Sequence, residues 1–477
     1  MNQDSKVIAW LKSLSKREFR EFSLYVKSPF HCQHAGTVQL FEALAPHYPH
    51  FSDDPLHLFR KAFPSQDIDQ PSFNVLKTYL IRLLRSFLVD MAWKKQQAMR
   101  SLLEAELLME RGLYTEAAKV ARKLSAQLDT QPVLDTDRLY LDFRLLDLQV
   151  SLSLQAYERG LEIPLPQLFS TLDQFYLCHG LKYLTTATSF ANLFGGKLPM
   201  DRWRRFKDIF QHSPASSHPL SEMYMYMVQL LVGESDASHL DALVKLLDEH
   251  RQQLSKIEAL NLYGLLQNHL WRRYTQGATD VLPAIFSFYR EMESLDLLFG
   301  HGEYSAHTFR NIVTAGIRLR ELNWTREFIE RNREKLKSDV GAAAMDYSLA
   351  YVDFSERAYG SALKRLQHLK FVDPFYRTGH QTLLLRIYYE TEAWEPLYAL
   401  AATFRRHANR VKSISKNRKA ANLNFIGIVK ALARIKERRR SRLQLEKVAE
   451  RISSCTHLTD RTWLEEKLRE EQSASFR

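Results

Sequence analysis

Apolar positions recur at helical spacing along most of the chain. Phe19, Phe22 and Val26 share one face of a helix predicted from Lys16 to about Lys27. Ser15 and Glu18 open it as a capping-box pair, and Ser28-Pro29 closes it, because a residue before proline avoids helical geometry. Asp54-Pro55 predicts a short helix through Phe63, with the proline in the first turn, where its missing N–H costs nothing. Pro71 opens a long helix with a wide stripe of Leu76, Leu80, Leu83, Leu84, Phe87, Leu88 and Met91. From Gln97 the pattern becomes helical hairpins. The first breaks at Arg111-Gly112 and resumes, pairing Ala105 with Tyr114 nine residues on, followed by Ala117, Ala121 and Leu124. Helices over 137–157, 166–180, 220–232, 254–275 and 281–294 follow without a dependable period.

Towards the C-terminus the pattern repeats. Trp324, Tyr359 and Trp394 are spaced 35 residues apart, and Ala315, Ala350 and Leu385 each stand nine residues earlier. Units of this length cannot bury an apolar face alone, so they stack. Tyr359, Ala362, Leu366, Leu369 and Pro374 have the spacing of the second helix of a tetratricopeptide repeat, and Tyr388, Trp394, Leu397, Ala401 and Phe404 repeat the register. The chain resembles the tetratricopeptide-repeat family over 305–409 and again over 98–128. The unit around Trp324 departs from that pattern, with Glu327 where a small residue is expected. The DPFY and IYYE segments (373–376 and 387–390) also resemble an uncharacterised bacterial helical family, which implies no activity.

The expected fold is therefore all-α: a TPR-like, right-handed solenoid of helical hairpins with a helical N-terminal module and a C-terminal helical cap. The expected divisions are 1–95 for the module, 96–300 for irregular hairpins, 301–409 for the repeats and 410–477 for a basic cap. The repeat aromatics and alanines read as core. The resemblance implies that ligand-facing residues lie on the concave surface, mostly on the first helix of each hairpin.

Composition narrows the functional classes. Gly (16) and Pro (15) are scarce in 477 residues, which favours helices over glycine-rich phosphate loops. Gly195-Gly196 and Gly300-His301-Gly302 lack the rest of any nucleotide-binding motif, and no hydrolase, kinase or metalloprotease signature appears. No catalytic or cofactor-binding residues are assigned. Cys32, Cys178 and Cys455 imply no disulfide framework, and no apolar run reaches the length of a membrane span or a signal-peptide core, so the expected location is cytoplasmic. His31, His34, His47 and His50 mimic a zinc spacing, but with one cysteine among them they read as surface or capping histidines rather than a metal site.

Charge adds the one clue to a partner. Residues 1–400 carry 47 basic and 47 acidic side chains; residues 401–477 carry 20 basic and 8 acidic, which accounts for the whole net +12. On the segment 405–442, Phe425, Val429, Leu432 and Ile435 form an apolar stripe, with Lys430, Arg434, Lys436 and Arg438 off it, then Arg439, Arg440 and Arg442. This cluster is either a solvated face or a contact for nucleic acid or an acidic protein segment. The expected function is a non-catalytic scaffold or adaptor binding a protein or peptide through its helical-repeat surface. The alternative is a nucleic-acid-associated protein using the basic C-terminal surface.

Overall fold

The computed structural model describes residues 3–51, 54–66, 68–130, 132–156, 163–234, 237–298, 306–336, 341–369, 371, 373–410, 416–437 and 442–475. The fold is all-α: the chain is 82% helical, with 23 α-helices and no strand among the described residues. No described helix is long and apolar enough to cross a membrane. The chain divides into two compact units. One comprises 1–184, 200–225 and 252–254; the other comprises 185–199, 226–251 and 255–477.

The first unit opens with α1 (Gln3–Lys12), α2 (Lys16–Lys27), α3 (Ala35–Leu44), α4 (Pro55–Ala62) and α5 (Gln70–Lys95). Local chemistry sets the starts. Both halves of the Ser15–Glu18 capping box form at α2, and the Asp54 and Asp69 carboxylates accept backbone N–H groups at α4 and α5. His34 caps α3, its Nδ1 accepting the Thr37 N–H at 3.2 Å, and His31 stacks on Tyr25 with centroids 3.8 Å apart. Phe22 meets Phe41 and Phe87, each at 5.3 Å, at the centre of an aromatic core. The hairpin α6 (Gln97–Glu110) and α7 (Tyr114–Asp129) turns at Gly112, whose φ of +75° suits glycine. Ala105 packs with Ala117, Ala121 and Leu124, whereas Tyr114 is 43% exposed. Then come α8 (Thr136–Ala156), α9 (Leu165–Phe194, of which the residues up to 184 belong to this unit), α10 (Met200–His212) and α11 (Pro219–Val232, of which the residues up to 225 belong to this unit). Sequence pattern ended α9 near 180 and missed α10. The second half of α9 is rich in Thr and Ser, and α10 buries only Trp203 and Phe206 in an otherwise largely charged helix.

The second unit contains α12 (Ala237–Glu249), which the pattern also missed, α13 (Lys256–Thr275) and α14 (Leu282–Ser294). A chain of hairpins follows: α15 (Ala306–Arg318) with α16 (Leu322–Arg331), α17 (Gly341–Ser355) with α18 (Tyr359–Leu366), and α19 (Pro374–Glu390) with α20 (Trp394–Arg410). It ends in α21 (Lys416–Glu437), α22 (Arg442–Ser454) and α23 (Arg461–Ser475). Successive first helices touch: α15 with α17, α17 with α19, and α19 with α21. Phe425, Val429, Leu432 and Ile435 are buried, as their stripe requires.

The hairpin turns give the true register. Arg320, Arg357 and Glu392 all have positive φ, like Gly112, and at each the next residue's N–H returns to the carbonyl five residues before it. The second helices therefore begin at Leu322, Tyr359, Trp394 and Tyr114, so Trp324 lies two residues out of line with Tyr359 and Trp394. The small residue missing at Glu327 is Thr325, fully buried, aligned with Ala362, Leu397 and Ala117. Tyr359 and Trp394 make ring contacts with Phe354 and Tyr389, five residues back, at 5.5 and 6.0 Å. Trp324 instead stacks on Phe328 at 5.1 Å and meets Phe286 edge-on at 4.8 Å.

Candidate functional site

The first helices of the second unit carry polar residues at a spacing of four, which stacks them on one helix face. These are Arg310, Thr314 and Arg318 on α15, Tyr347 and Tyr351 on α17, Thr378, Thr382 and Arg386 on α19, and Arg418 and Asn422 on α21. With Thr459 and Asp460 from the α22–α23 connection they line a cavity of about 100 Å³. Four guanidinium groups thus surround a space whose lining holds one carboxylate. Asp460 bridges two of them, its Oδ1 3.2 Å from Arg318 Nη2 and its Oδ2 3.2 Å from Arg386 Nη1. Arg386 is 8% exposed and wedged among rings, with its guanidinium carbon 4.3 Å from the Phe354 centroid and 5.3 Å from that of Trp463. Burial, and then the neighbouring Arg310, push the Arg418 guanidinium down to about 10. Burial likewise pushes the Tyr347 phenol up to about 12.

Three polar atoms here have no hydrogen-bond partner among the described residues: Thr382 Oγ1, Arg386 Nε and Asn422 Nδ2. Thr382 and Asn422 are 4% and 2% exposed. Asn422 spends its Oδ1 on the Thr459 hydroxyl at 2.9 Å, which leaves the amide N–H group over. A wider hollow of about 280 Å³ beside Asp241, Asp248, Tyr263 and Glu291 is already internally paired. Tyr263 Oη donates to Glu291 at 2.5 Å, and Arg251 bridges Asp248 and Glu291 at 2.7 and 2.8 Å. Arg251 Nε beside the wider hollow is also without a hydrogen-bond partner, but among the described residues lining either cavity the unpartnered donors are those of Thr382, Arg386 and Asn422 in the smaller one.

The residues singled out from sequence lie elsewhere. Arg434 is exposed and Lys430 half-buried on α21. Lys436 is 23% exposed at its side chain, sits 5.2 Å from the Tyr389 ring centroid, and pairs with Glu392 at 3.1 Å and Glu471 at 4.0 Å. Arg438, Arg439 and Arg440 lie outside the described residues, as does the side chain of Arg442, which opens α22. Sequence reasoning passed over Arg310, Arg318 and Arg386 because they fall in the charge-balanced part of the chain; the Arg-Thr-Arg ladder at i, i+4, i+8 was the available signal.

Among the described residues no group of three or more His, Cys, Asp or Glu side chains is placed to hold a metal ion. Cys178 approaches His218 Nδ1 at 3.7 Å and Ser221 Oγ at 2.9 Å, an arrangement that resembles a nucleophile and its base. Cys178 is fully buried, however, and His218 Nδ1 accepts the Leu220 N–H at 3.3 Å, so the cluster ties α9 to α11 within the first unit.

A second feature lies on α9. Leu165, Phe169, Leu172, Tyr176 and Tyr183 are 39–67% exposed and spaced by four, three, four and seven residues. The helix's other faces are engaged: Leu177, Cys178 and Leu181 are fully buried, and Phe175 meets Phe143 and Tyr140 of α8 at 6.3 and 5.7 Å.

Comparison of the chain with known protein families, curated proteins and solved structures gave no match.

Proposed function

We propose that the protein is a non-catalytic adaptor, a tetratricopeptide-like helical-repeat chain of the cytoplasm, that binds an amphipathic helix of another protein. The observation that carries this reading is the exposed stripe on α9. Its spacing of four and three is that of a coiled-coil seam, and residues 165–183 extend about 27 Å along the helix, enough to accompany a partner helix for five turns. Apolar rows of this kind mark interaction surfaces when they are contiguous. Fully burying a Leu or Phe side chain gains about 1.5–3 kcal/mol; covering these five positions, each roughly half exposed, gains about half of that apiece and so meets the lower part of an association cost of about 4–15 kcal/mol. Asp173 and Lys182 are the charged residues between 165 and 183. The occupant is therefore recognised by an apolar face read at i, i+3, i+4 and i+7 rather than by charge.

The test is a variant carrying Phe169→Glu and Tyr183→Glu. Both residues point to solvent, so melting should stay close to that of the parent. A partner segment cross-linked to α9 in the host should, as a synthetic peptide, become helical on binding the parent and bind the variant at least tenfold more weakly. Equal binding to both proteins defeats the reading. A parent dimer in light scattering that becomes monomeric in the variant would replace the partner with a second copy and overturn the adaptor role.

A further inference from the structure

We propose that the cavity between α15, α17, α19 and α21 is a binding site for a phosphate-sized tetrahedral oxyanion, either free or as the terminal phosphoryl group of a small molecule. The inference stands apart from the α9 surface and does not depend on it.

Charge comes first. Arg310, Arg318, Arg386 and Arg418 line one small space, and Asp460 is the carboxylate in that lining. Grouping like charges in a partly desolvated site is costly unless something of opposite sign completes it. Asp460 bridges Arg318 and Arg386, and Asp373 acts on Arg418 in opposition to Arg310, so what the lining offers a ligand is guanidinium donors rather than an uncompensated charge.

The unused hydrogen-bonding atoms agree. Arg386 Nε and Asn422 Nδ2 can only donate, and the Thr382 hydroxyl can donate. All three are on residues more than nine-tenths buried that line the cavity. Buried donors without partners are rare, so three of them on the lining of one cavity call for an acceptor-only group. An oxyanion is that group, and charge-assisted bonds to it are the strong ones.

Size and shape select the class. About 100 Å³ gives room for a phosphate-sized group. The donors arrive from α19, α21 and the guanidinium groups around them rather than from one edge. That suits a tetrahedral anion, whose oxygens point in four directions, better than a planar carboxylate. Asp460 gives the site a resting state: its carboxylate holds Arg318 and Arg386 in place while the cavity lacks its anion, and competes for the same guanidinium groups when the anion arrives.

The experiment uses the full chain, dialysed exhaustively into an anion-poor buffer, with calorimetry and thermal melting against sodium phosphate, and with sodium chloride at matched ionic strength as the control. Phosphate should bind at one site per chain and raise the melting temperature saturably. Thr382→Val removes one buried donor and should weaken phosphate by about ten- to a hundredfold, the usual worth of a hydrogen bond to a charged group. Arg310→Gln should weaken it while preserving the circular dichroism spectrum. Asp460→Asn removes the internal competitor and should bind phosphate more tightly than the parent, a gain that misfolding cannot imitate. Glycerol 3-phosphate separates the two sources. Binding comparable to that of phosphate identifies a phosphoryl end group, and phosphate binding alone identifies the free anion. No saturable phosphate effect beyond that of chloride overturns the proposal, as does phosphate binding that all three substitutions leave unchanged.

Discussion

Gly316→Ala should destabilise the protein, against the ordinary expectation for a glycine inside a helix. At an unconstrained helix position the change gains about 0.8–1 kcal/mol, because alanine forms helix better. On α15 the added methyl carbon would stand 2.1 Å from Thr325 Oγ1 and 3.4 Å from the Phe286 ring. Thr325 is fully buried, and its hydroxyl donates to the Glu321 carbonyl at 2.7 Å. Relief requires either rotating Thr325, which forfeits about 1 kcal/mol of hydrogen bond, or parting α15 from α16, and overpacking of this kind costs about 1–3 kcal/mol. An approach of 2.1 Å is a severe overlap that puts the cost at about 2–3 kcal/mol, so after the helix gain the net expectation is a loss of about 1–2 kcal/mol, measured by urea denaturation followed by circular dichroism. The double variant with Thr325→Ala removes the clash, so its loss should fall short of the sum of the two single losses by about 1 kcal/mol or more. A Gly316→Ala protein that gains stability would show that α15 and α16 do not approach as described. It would also refute the register that aligns Thr325 with Ala362 and Leu397.

Three further outcomes are expected. Ala350 is fully buried on α17, so Ala350→Trp should lower stability by about 1–3 kcal/mol, visible as a reduced melting temperature; no change would contradict the packing of that hairpin. His269 is held down to about 4 by burial and then by Arg273 and Arg272, whereas unfolded it titrates near 6.5. The unfolded chain therefore binds the extra proton between those values, so this residue's contribution leaves stability flat above pH 6.5 and lowers it as pH falls towards 4. The melting temperature of His269→Gln should fall less steeply over that interval than the parent's. Replacing Arg438, Arg439, Arg440 and Arg442 by Gln should leave melting near normal and weaken retention on heparin. Unchanged retention would mark the cluster as a solvated face, and loss of folding would mark it as structural.

Hairpin features were most legible in sequence where one residue type reports one contact. Ala105, Ala117 and Ala121 read as a close helix pair because only small side chains fit there, and Gly112 read as the break because it takes a positive φ cheaply. The register near Trp324 misled because Arg320 makes the same turn as Gly112 without being glycine, and because Trp324 fills space against Phe286 two residues deeper than Tyr359 or Trp394 does in its own hairpin. The exposed stripe on α9 was invisible for a different reason: apolar spacing tells which residues share a face but not whether anything covers it.

The cavity shows where charge counting along a sequence fails. Residues 1–400 are neutral in sum, yet Arg310, Arg318 and Arg386 all come from them. Two of the acids in the same stretch are engaged elsewhere. Asp353 pairs with Arg326 at 3.1 Å and Arg365 at 2.9 Å, and Glu390 pairs with Lys467 at 3.0 Å. Folding thus pairs these acids with other cations while Arg310, Arg318 and Arg386 come to line one cavity. The sequence's visible excess at the C-terminus has the opposite fate at Lys436, which the fold neutralises with Glu392 and Glu471. Net charge in a window measures the potential far from a protein. A site the size of one phosphate responds to which charges share a helix face, and that is fixed by the i, i+4 spacing on α15 and α19 and by the approach of those helices through α17.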